Sequence, residues 1–225
     1  MTATSASTDA VILLGRRDIP TDGVSDYSRL LCSSLQRRGR AIRLVRAPWD
    51  ELGWRRAMVE MREQMALCSP AWVLMQYTHL MWSLSGFPLR ALDIARTIRR
   101  MNSRLAVVIH DPIGFPGARL IDRVRRRAQH ATMRALCRLA DATIVTVASD
   151  RVPWCGKATR VRCIPVGPNI VPCGGDPGPH GTFTVSVFGV TGGRADEVLE
   201  IAHVARQVAR ELGQIQLVVL GRGSR

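Results

Sequence analysis

Short apolar runs recur along the chain at near-regular intervals: AVILLG (10–15), AIRLVRA (41–47), AWVLMQYT (71–78), LAVVIHD (105–111), ATIVTVAS (142–149) and VRCIPVG (161–167). They are apolar without strict alternation, so each suits a strand buried on both faces, the environment of a parallel sheet. Between them, apolar residues at steps of three and four predict helices over about 25–38, 50–67, 88–101 and 118–139, with a short one near 149–156. In the fourth, Ile121, Val124, Ala128, Ala131, Ala135 and Leu139 form one stripe, and Arg119, Arg123, Arg126, His130, Arg134 and Arg138 form another. Alternating strands and helices predict an α/β fold with a Rossmann-like parallel sheet covered on both sides.

Beyond Val166 the pattern breaks. GPNIVPCGGDPGPHG is too rich in Gly and Pro to hold a regular element and reads as a linker. FTVSVFGV (183–190) then predicts a strand, ADEVLEIAHVARQVARELG (195–213) a helix ending at a glycine, and IQLVVLGRG (215–223) another strand. The expected organisation is an N-terminal lobe over 1–170, a Gly/Pro-rich linker over 171–181, and over 182–225 the first β-α-β of a second Rossmann-like lobe. Three elements cannot cover both faces of a parallel sheet, so this second lobe reads as partial and C-terminally truncated. Dimerisation, or pairing with a separate lobe, would complete it.

With 46% hydrophobic and 22% charged residues, the chain is neither disordered nor collagen-like. Its charge changes the picture more. Lys and Arg number 32 against 18 acids, a net charge of +14, and Lys157 is the only lysine. Guanidinium groups bind phosphate oxygens bidentately, so one reading is an anionic partner, whether phosphate, lipid headgroup or nucleic acid; the other is arginine on solvated helix faces. Two tyrosines and four phenylalanines leave little for base stacking, which makes nucleic acid the weaker candidate. The basic helix over 118–139 carries the same two readings, a peripheral contact with an anionic membrane or a packed stripe with a solvated basic back.

Cys32, Cys68, Cys137, Cys155, Cys163 and Cys173 form no C-x-x-C pair and none has zinc-ligand spacing to a histidine, so they read as reduced thiols and no metal is expected. The start MTATSASTDA lacks the basic and apolar regions of a signal peptide, and no apolar run approaches the ~18 residues of a membrane span. The expected location is the cytoplasm, with membrane contact at most peripheral on the inner face.

A parallel sheet presents its ligand site beyond the carboxyl ends of its strands. The residues there are Arg16, Asp18, Asp22, Gly23, Ser25, Asp26 and Tyr27 after the first strand, and Tyr77, Thr78 and His79 after the third. His110, Asp111 and Pro112 follow the fourth, and Gly167, Pro168 and Asn169 the sixth. Gly23, just before a helix, would let backbone amides and the helix dipole meet a phosphate; alternatively it only makes a turn, with Ser25 or Asp26 capping the helix. His110 should face the cleft, where Asp111 could orient its imidazole, unless it is structural. His79 and His130 are read as structural. Neither G-x-G-x-x-G nor G-x-x-x-x-G-K-[ST] occurs, which removes support for dinucleotide and P-loop binding.

Taken in order, GVSDYSRLLCSSLQRRGRAIRLV, LAVVIHDPIGFPG, ADATIVTVASDR, VRCIPVGPNI and FTVSVFGV resemble the retaining glycosyltransferases of family four, which have the two-lobed B-type fold. The resemblance implies an acceptor-type lobe over 1–170, a nucleotide-sugar-type lobe over 182–225, and sugar transfer to a carbohydrate or lipid-linked acceptor in polysaccharide or glycolipid assembly. It places Gly23 against the donor diphosphate and His110, as the catalytic residue, against the donor sugar. Asp26, Tyr27, Tyr77 and Asp111 become acceptor-side candidates. The nucleotide sugar is a substrate; no cofactor or metal is implied, and no D-x-D occurs.

The chain departs from the family in its second lobe. Only Arg194, in VTGGRADE, stands where a basic pair should meet the leaving diphosphate, and the paired glutamates would lie beyond Arg225. The expectation is little sugar transfer by this chain alone. Two alternatives follow: a non-catalytic lobe acting as a binding module, and an arginine-rich nucleic-acid binder.

Overall fold

The computed structural model describes residues 8–17, 22–155, 161–167, 183–188, 195–212 and 215–220. The chain divides into two compact units, Met1–Ile170 and Val171–Arg225. The first unit runs β1 (Ala10–Leu14), α1 (Gly23–Arg37), β2 (Ile42–Arg46), α2 (Trp49–Leu52), α3 (Trp54–Cys68), β3 (Trp72–Tyr77) and α4 (Ala91–Arg100). It continues through β4 (Arg104–Ile109), α5 (Leu120–Leu139), β5 (Ala142–Val145), a single 3-10 turn (Ser149–Arg151) and β6 (Val161–Cys163). Its six strands form one parallel sheet in the order β2-β1-β3-β4-β5-β6. The fold is therefore α/β and Rossmann-like. The second unit contains β7 (Phe183–Phe188), α6 (Ala195–Leu212) and β8 (Ile215–Leu220), a parallel pair joined through a helix. The Gly/Pro segment over 171–181 and Arg194 lie outside the described residues.

Strand parity divides the core into two layers, because successive side chains leave a strand on opposite faces. Val11, Leu13, Val73, Met75, Leu105, Val107 and Ile109 join Met61, Met65, Ile94, Ile98 and Leu136 of α3, α4 and α5 in one cluster. Ala10, Ile12 and Ile42 pack with Cys32, Leu31 and Leu35 of α1 in the other. All of β1 is buried, as expected of a central parallel strand whose two faces are both covered.

The chain leaves β1 toward β2 on one side, and every later crossover proceeds to the other. This makes the β1/β3 junction the point where strand order reverses. Connections there diverge, opening a crevice at the carboxyl ends of the strands.

Three local features differ from the sequence expectation. The helix expected over 50–67 is broken at Gly53, whose φ of 75° ends α2 and starts α3. Trp49 and Trp54 on either side of the break stack with ring centroids 4.8 Å apart. The cap of α1 is Asp22 rather than Ser25 or Asp26: its Oδ1 accepts from the Ser25 amide at 2.9 Å.

The third difference is in α5, whose inward face is Asp122, Gln129, Thr132, Met133 and Leu136. It lies one position on from the predicted stripe, about 100° round the helix. Ile121 and Val124 consequently point outward. The first turns of α5 turn polar groups inward because they hold loops in place: Gln129 and His130 bond to the segments after β3 and β4. Among the described residues, no helix is long and apolar enough to cross a membrane.

Candidate functional site

Two adjoining cavities occupy the carboxyl edge of the first unit's sheet. The first, about 380 Å³, lies at the β1/β3 junction and is lined by Arg16, Asp22, Gly23, Tyr27, His110 and Asp111, among others. The second, about 520 Å³, lies between the segments after β3 and β4, with His79, Leu84, Ile113 and Phe115 in its walls. Leu80, His110 and Asp111 line both.

The structure thus brings Gly23, Tyr27, His110 and Asp111 together. Asp26 and Tyr77 line neither cavity. Asp26 is exposed and pairs with Arg29 at 3.1 Å. Tyr77 is entirely buried, and desolvation raises its hydroxyl well above the ordinary tyrosine range, with the Asp111 charge adding to the shift.

Gly23 opens α1, and a Cβ built on it meets nothing within 4 Å. Its φ lies outside the left-handed region, so neither backbone conformation nor packing in the described structure requires glycine here. Gly23 lines the first cavity at the first turn of α1.

Charge around this terminus is balanced. Arg46 donates to the Gly15 carbonyl at 2.7 Å and to Ser25 Oγ at 2.6 Å, and its guanidinium lies 3.9 Å from Asp22. Burial lowers the Arg46 pKa, partly opposed by the Asp22 carboxylate.

His110 follows Ile109, so parity turns it to the face of the sheet that carries α1. There its Nε2 lies 2.8 Å from Gln76 Oε1, and its ring meets the Tyr27 ring edge-on at 5.3 Å. Gln76, not Asp111, orients the imidazole. Desolvation lowers the His110 pKa to about 4. The ring is neutral at physiological pH, with Nε2–H donating to Gln76 and Nδ1 left as an acceptor. Its backbone is pinned as well: its amide donates to the Tyr77 carbonyl at 3.0 Å, and its carbonyl accepts from Thr146 Oγ1 at 3.1 Å. Asp111 reaches solvent at the mouth of the cavities, yet the crowded walls still desolvate its carboxyl and raise its pKa.

Sequence reasoning missed Gln76, Arg46 and the place of His79. Gln76 had a readable signal: an amide inside the apolar run AWVLMQYT must find a polar partner once buried. Arg46 at the end of β2 had none, since arginines occur throughout the chain. His79 is 6% exposed and lines the second cavity. His130 is a structural tie, with Nε2 at 2.8 Å from the Ile113 carbonyl. Thr78 and Val166 line the first cavity, while Asp18, Pro168 and Asn169 lie outside the described residues.

No protein-family model, curated protein or solved structure matches this chain.

Proposed function

We propose that the first unit serves in glycosyl transfer from a nucleotide sugar to a carbohydrate or lipid-linked acceptor, with the donor diphosphate against Gly23 and the sugar against His110. The observation carrying this reading is that Gly23 and His110, distant in sequence, line one cavity at the strand-order reversal. A glycine that the described fold does not require, beside a neutral, rigidly held imidazole, suits a phosphate-bearing polar ligand. In the reaction the acceptor oxygen bonds to the anomeric carbon. The bond from that carbon to the diphosphate breaks with its electron pair leaving on the diphosphate, and the hydroxyl proton is released to water.

The test is isothermal titration with a panel of nucleoside-diphosphate sugars, followed by a radiolabelled transfer assay. Saturable binding weakened by Gly23→Val and His110→Ala supports the reading. Absence of binding across the panel defeats it.

A peripheral membrane role for the same unit draws on the start of α5. Leu120 and Ile121 are 77% and 51% exposed there, beside exposed Arg119, Arg123 and Arg127. Apolar side chains flanked by arginines suit an anionic lipid surface.

A further inference from the structure

We propose that the groove between the first turns of α3 and α4 is a docking site for an acidic, leucine-bearing peptide segment of a partner protein. This inference stands apart from the glycosyl-transfer reading and uses no part of it.

The groove holds about 330 Å³ and is lined by Trp54, Arg55, Met58, Val59 and Arg62 of α3, with Arg90 and Asp93 at the start of α4. Arg55, Val59 and Arg62 follow one another at steps of four and three, so they stand in one row along α3. All three are exposed, Val59 by 44%, which sets an apolar side chain between two arginines. Trp54 and Met58 are half-buried and pack against the core, continuing the apolar lining inward.

The charge of this groove is unbalanced. Along α3 neither Arg55 nor Arg62 has an acid three or four positions away, whereas Arg56, on the next row, pairs with Glu60 at 3.1 Å. Arg62 donates through Nε to the Met58 carbonyl at 3.1 Å, and neither arginine has a carboxylate partner among the described residues. Arg90 lies 3.9 Å from Asp93, but Arg96 holds the same carboxylate at 3.2 Å. Three guanidinium groups therefore share the groove with one carboxylate that is already engaged. The backbone adds to the excess. α3 begins on Gly53 with no side-chain cap and no acid in its first turn, so Arg55 stands at the positive end of the helix dipole, where a carboxylate is the favoured companion.

An apolar lining between arginines, in a groove bounded by two helices, suits carboxylates presented beside leucines on one peptide. Other occupants use less of it. A flat membrane surface would meet the arginines without reaching half-buried Met58. Nucleic acid lacks a stacking platform, because the Trp54 ring is already engaged by Trp49, at 4.8 Å, and by Arg90, at 5.9 Å. A second copy of this chain would bring a net charge of +14 of its own.

The test titrates the full chain into a short fluorescein-labelled peptide of glutamates with leucines at steps of three and four, read by anisotropy. We expect saturable one-site binding, weakened by salt and about tenfold tighter than that of the same peptide with serine in place of leucine. Arg55→Glu/Arg62→Glu should weaken it about tenfold or more. Arg38→Glu/Arg40→Glu makes the same change in net charge at exposed positions beyond α1, and should weaken it no more than about threefold. Val59→Ser should weaken it several-fold, with the melting curve of every variant unchanged. Hydrogen exchange of the wild-type chain should slow in the first turns of α3 and α4 when the peptide is bound, which locates the site without any substitution. The proposal is overturned by absent or unsaturable binding, by equal weakening from the two arginine pairs, or by a serine peptide that binds as tightly as the leucine one. It is also overturned if oligothymidylate or phosphatidylserine vesicles slow the same amides and displace the peptide, since the groove would then belong to nucleic acid or to a membrane.

Discussion

Acidification should unfold the first unit sooner than its surface charges suggest, and His79 and His110 set the size of the effect. Burial lowers both pKa values from an ordinary 6.5 to about 4. For His79 desolvation is the main cause; the Asp111 backbone opposes it, and the His130 charge adds a smaller lowering. A histidine with a depressed folded pKa is held neutral in the native state and takes up a proton on unfolding. Its stabilising contribution is therefore complete above about 6.5 and is lost as pH falls toward about 4. At pH 5 each ring would cost about 2 kcal/mol relative to pH 7.5, with His110 at the lower end because part of it meets solvent. A combined loss of about 3 to 4 kcal/mol is a large share of a typical domain's 5 to 15.

Two carboxyls bear on the same curve. Burial raises the Asp111 pKa, so acidification relieves that group and softens the low end of the loss. Asp141 is lowered chiefly by the Leu105 amide, and its contribution falls away only below the ordinary aspartate pKa of 3.8, outside this window. Urea unfolding followed by circular dichroism between pH 7.5 and 5 measures the slope, which should correspond to nearly two protons taken up near pH 5. His79→Asn keeps an acceptor for the Tyr77 hydroxyl and cannot titrate, so its slope should be about half that of the wild type. Superimposable slopes for the two proteins would refute the reasoning, whatever their absolute stabilities.

Gly15→Ala should destabilise by about 2 to 3 kcal/mol in the same urea titration, because the added Cβ would sit 2.6 Å from the Met81 carbonyl oxygen and 3.0 Å from the Trp82 ring. Gly23→Ala should leave the melting temperature within a few degrees of wild type, since its Cβ enters open space, while weakening any nucleotide sugar seated there; a large stability loss would restore the structural explanation of that glycine. Gln76→Leu should cost about 1 to 3 kcal/mol in urea unfolding by stranding the His110 Nε2–H, and an unchanged midpoint would mean the amide is not its partner. In vesicle flotation, the chain should bind anionic phosphatidylserine vesicles and not neutral phosphatidylcholine ones, with Leu120→Ser/Ile121→Ser reducing recovery several-fold.

The fold was legible because unbroken apolar runs such as AVILLG and LAVVIHD admit few environments other than a strand covered on both faces. The Gly53 break was harder to read, since helical periodicity continues across it and only the left-handed backbone at that residue separates α2 from α3. The inward face of α5 misled for a different reason. Apolar spacing finds a packed stripe only where a helix buries hydrocarbon, whereas this helix uses its inner positions for Gln129 and Asp122, tying loops in place and pairing with Arg125.

The same physics explains how much of the site was visible. Strand ends identify which residues reach the carboxyl edge, and Gly23 and His110 were readable on that ground alone. Which residues meet there depends on parity and strand order together. His110 and Asp111 are adjacent in sequence, yet the imidazole finds Gln76 and Tyr27 on the side of α1. Asp111 instead falls within electrostatic reach of Tyr77. Gln76 becomes the partner only because β3 lies beside β4 in the sheet, with Gln76 opposite Val108, two positions before His110 on the same face. His110 and Asp111 therefore act as two separate groups: both line the two cavities, but the imidazole takes its partners from the neighbouring strand and from α1 rather than from the aspartate beside it.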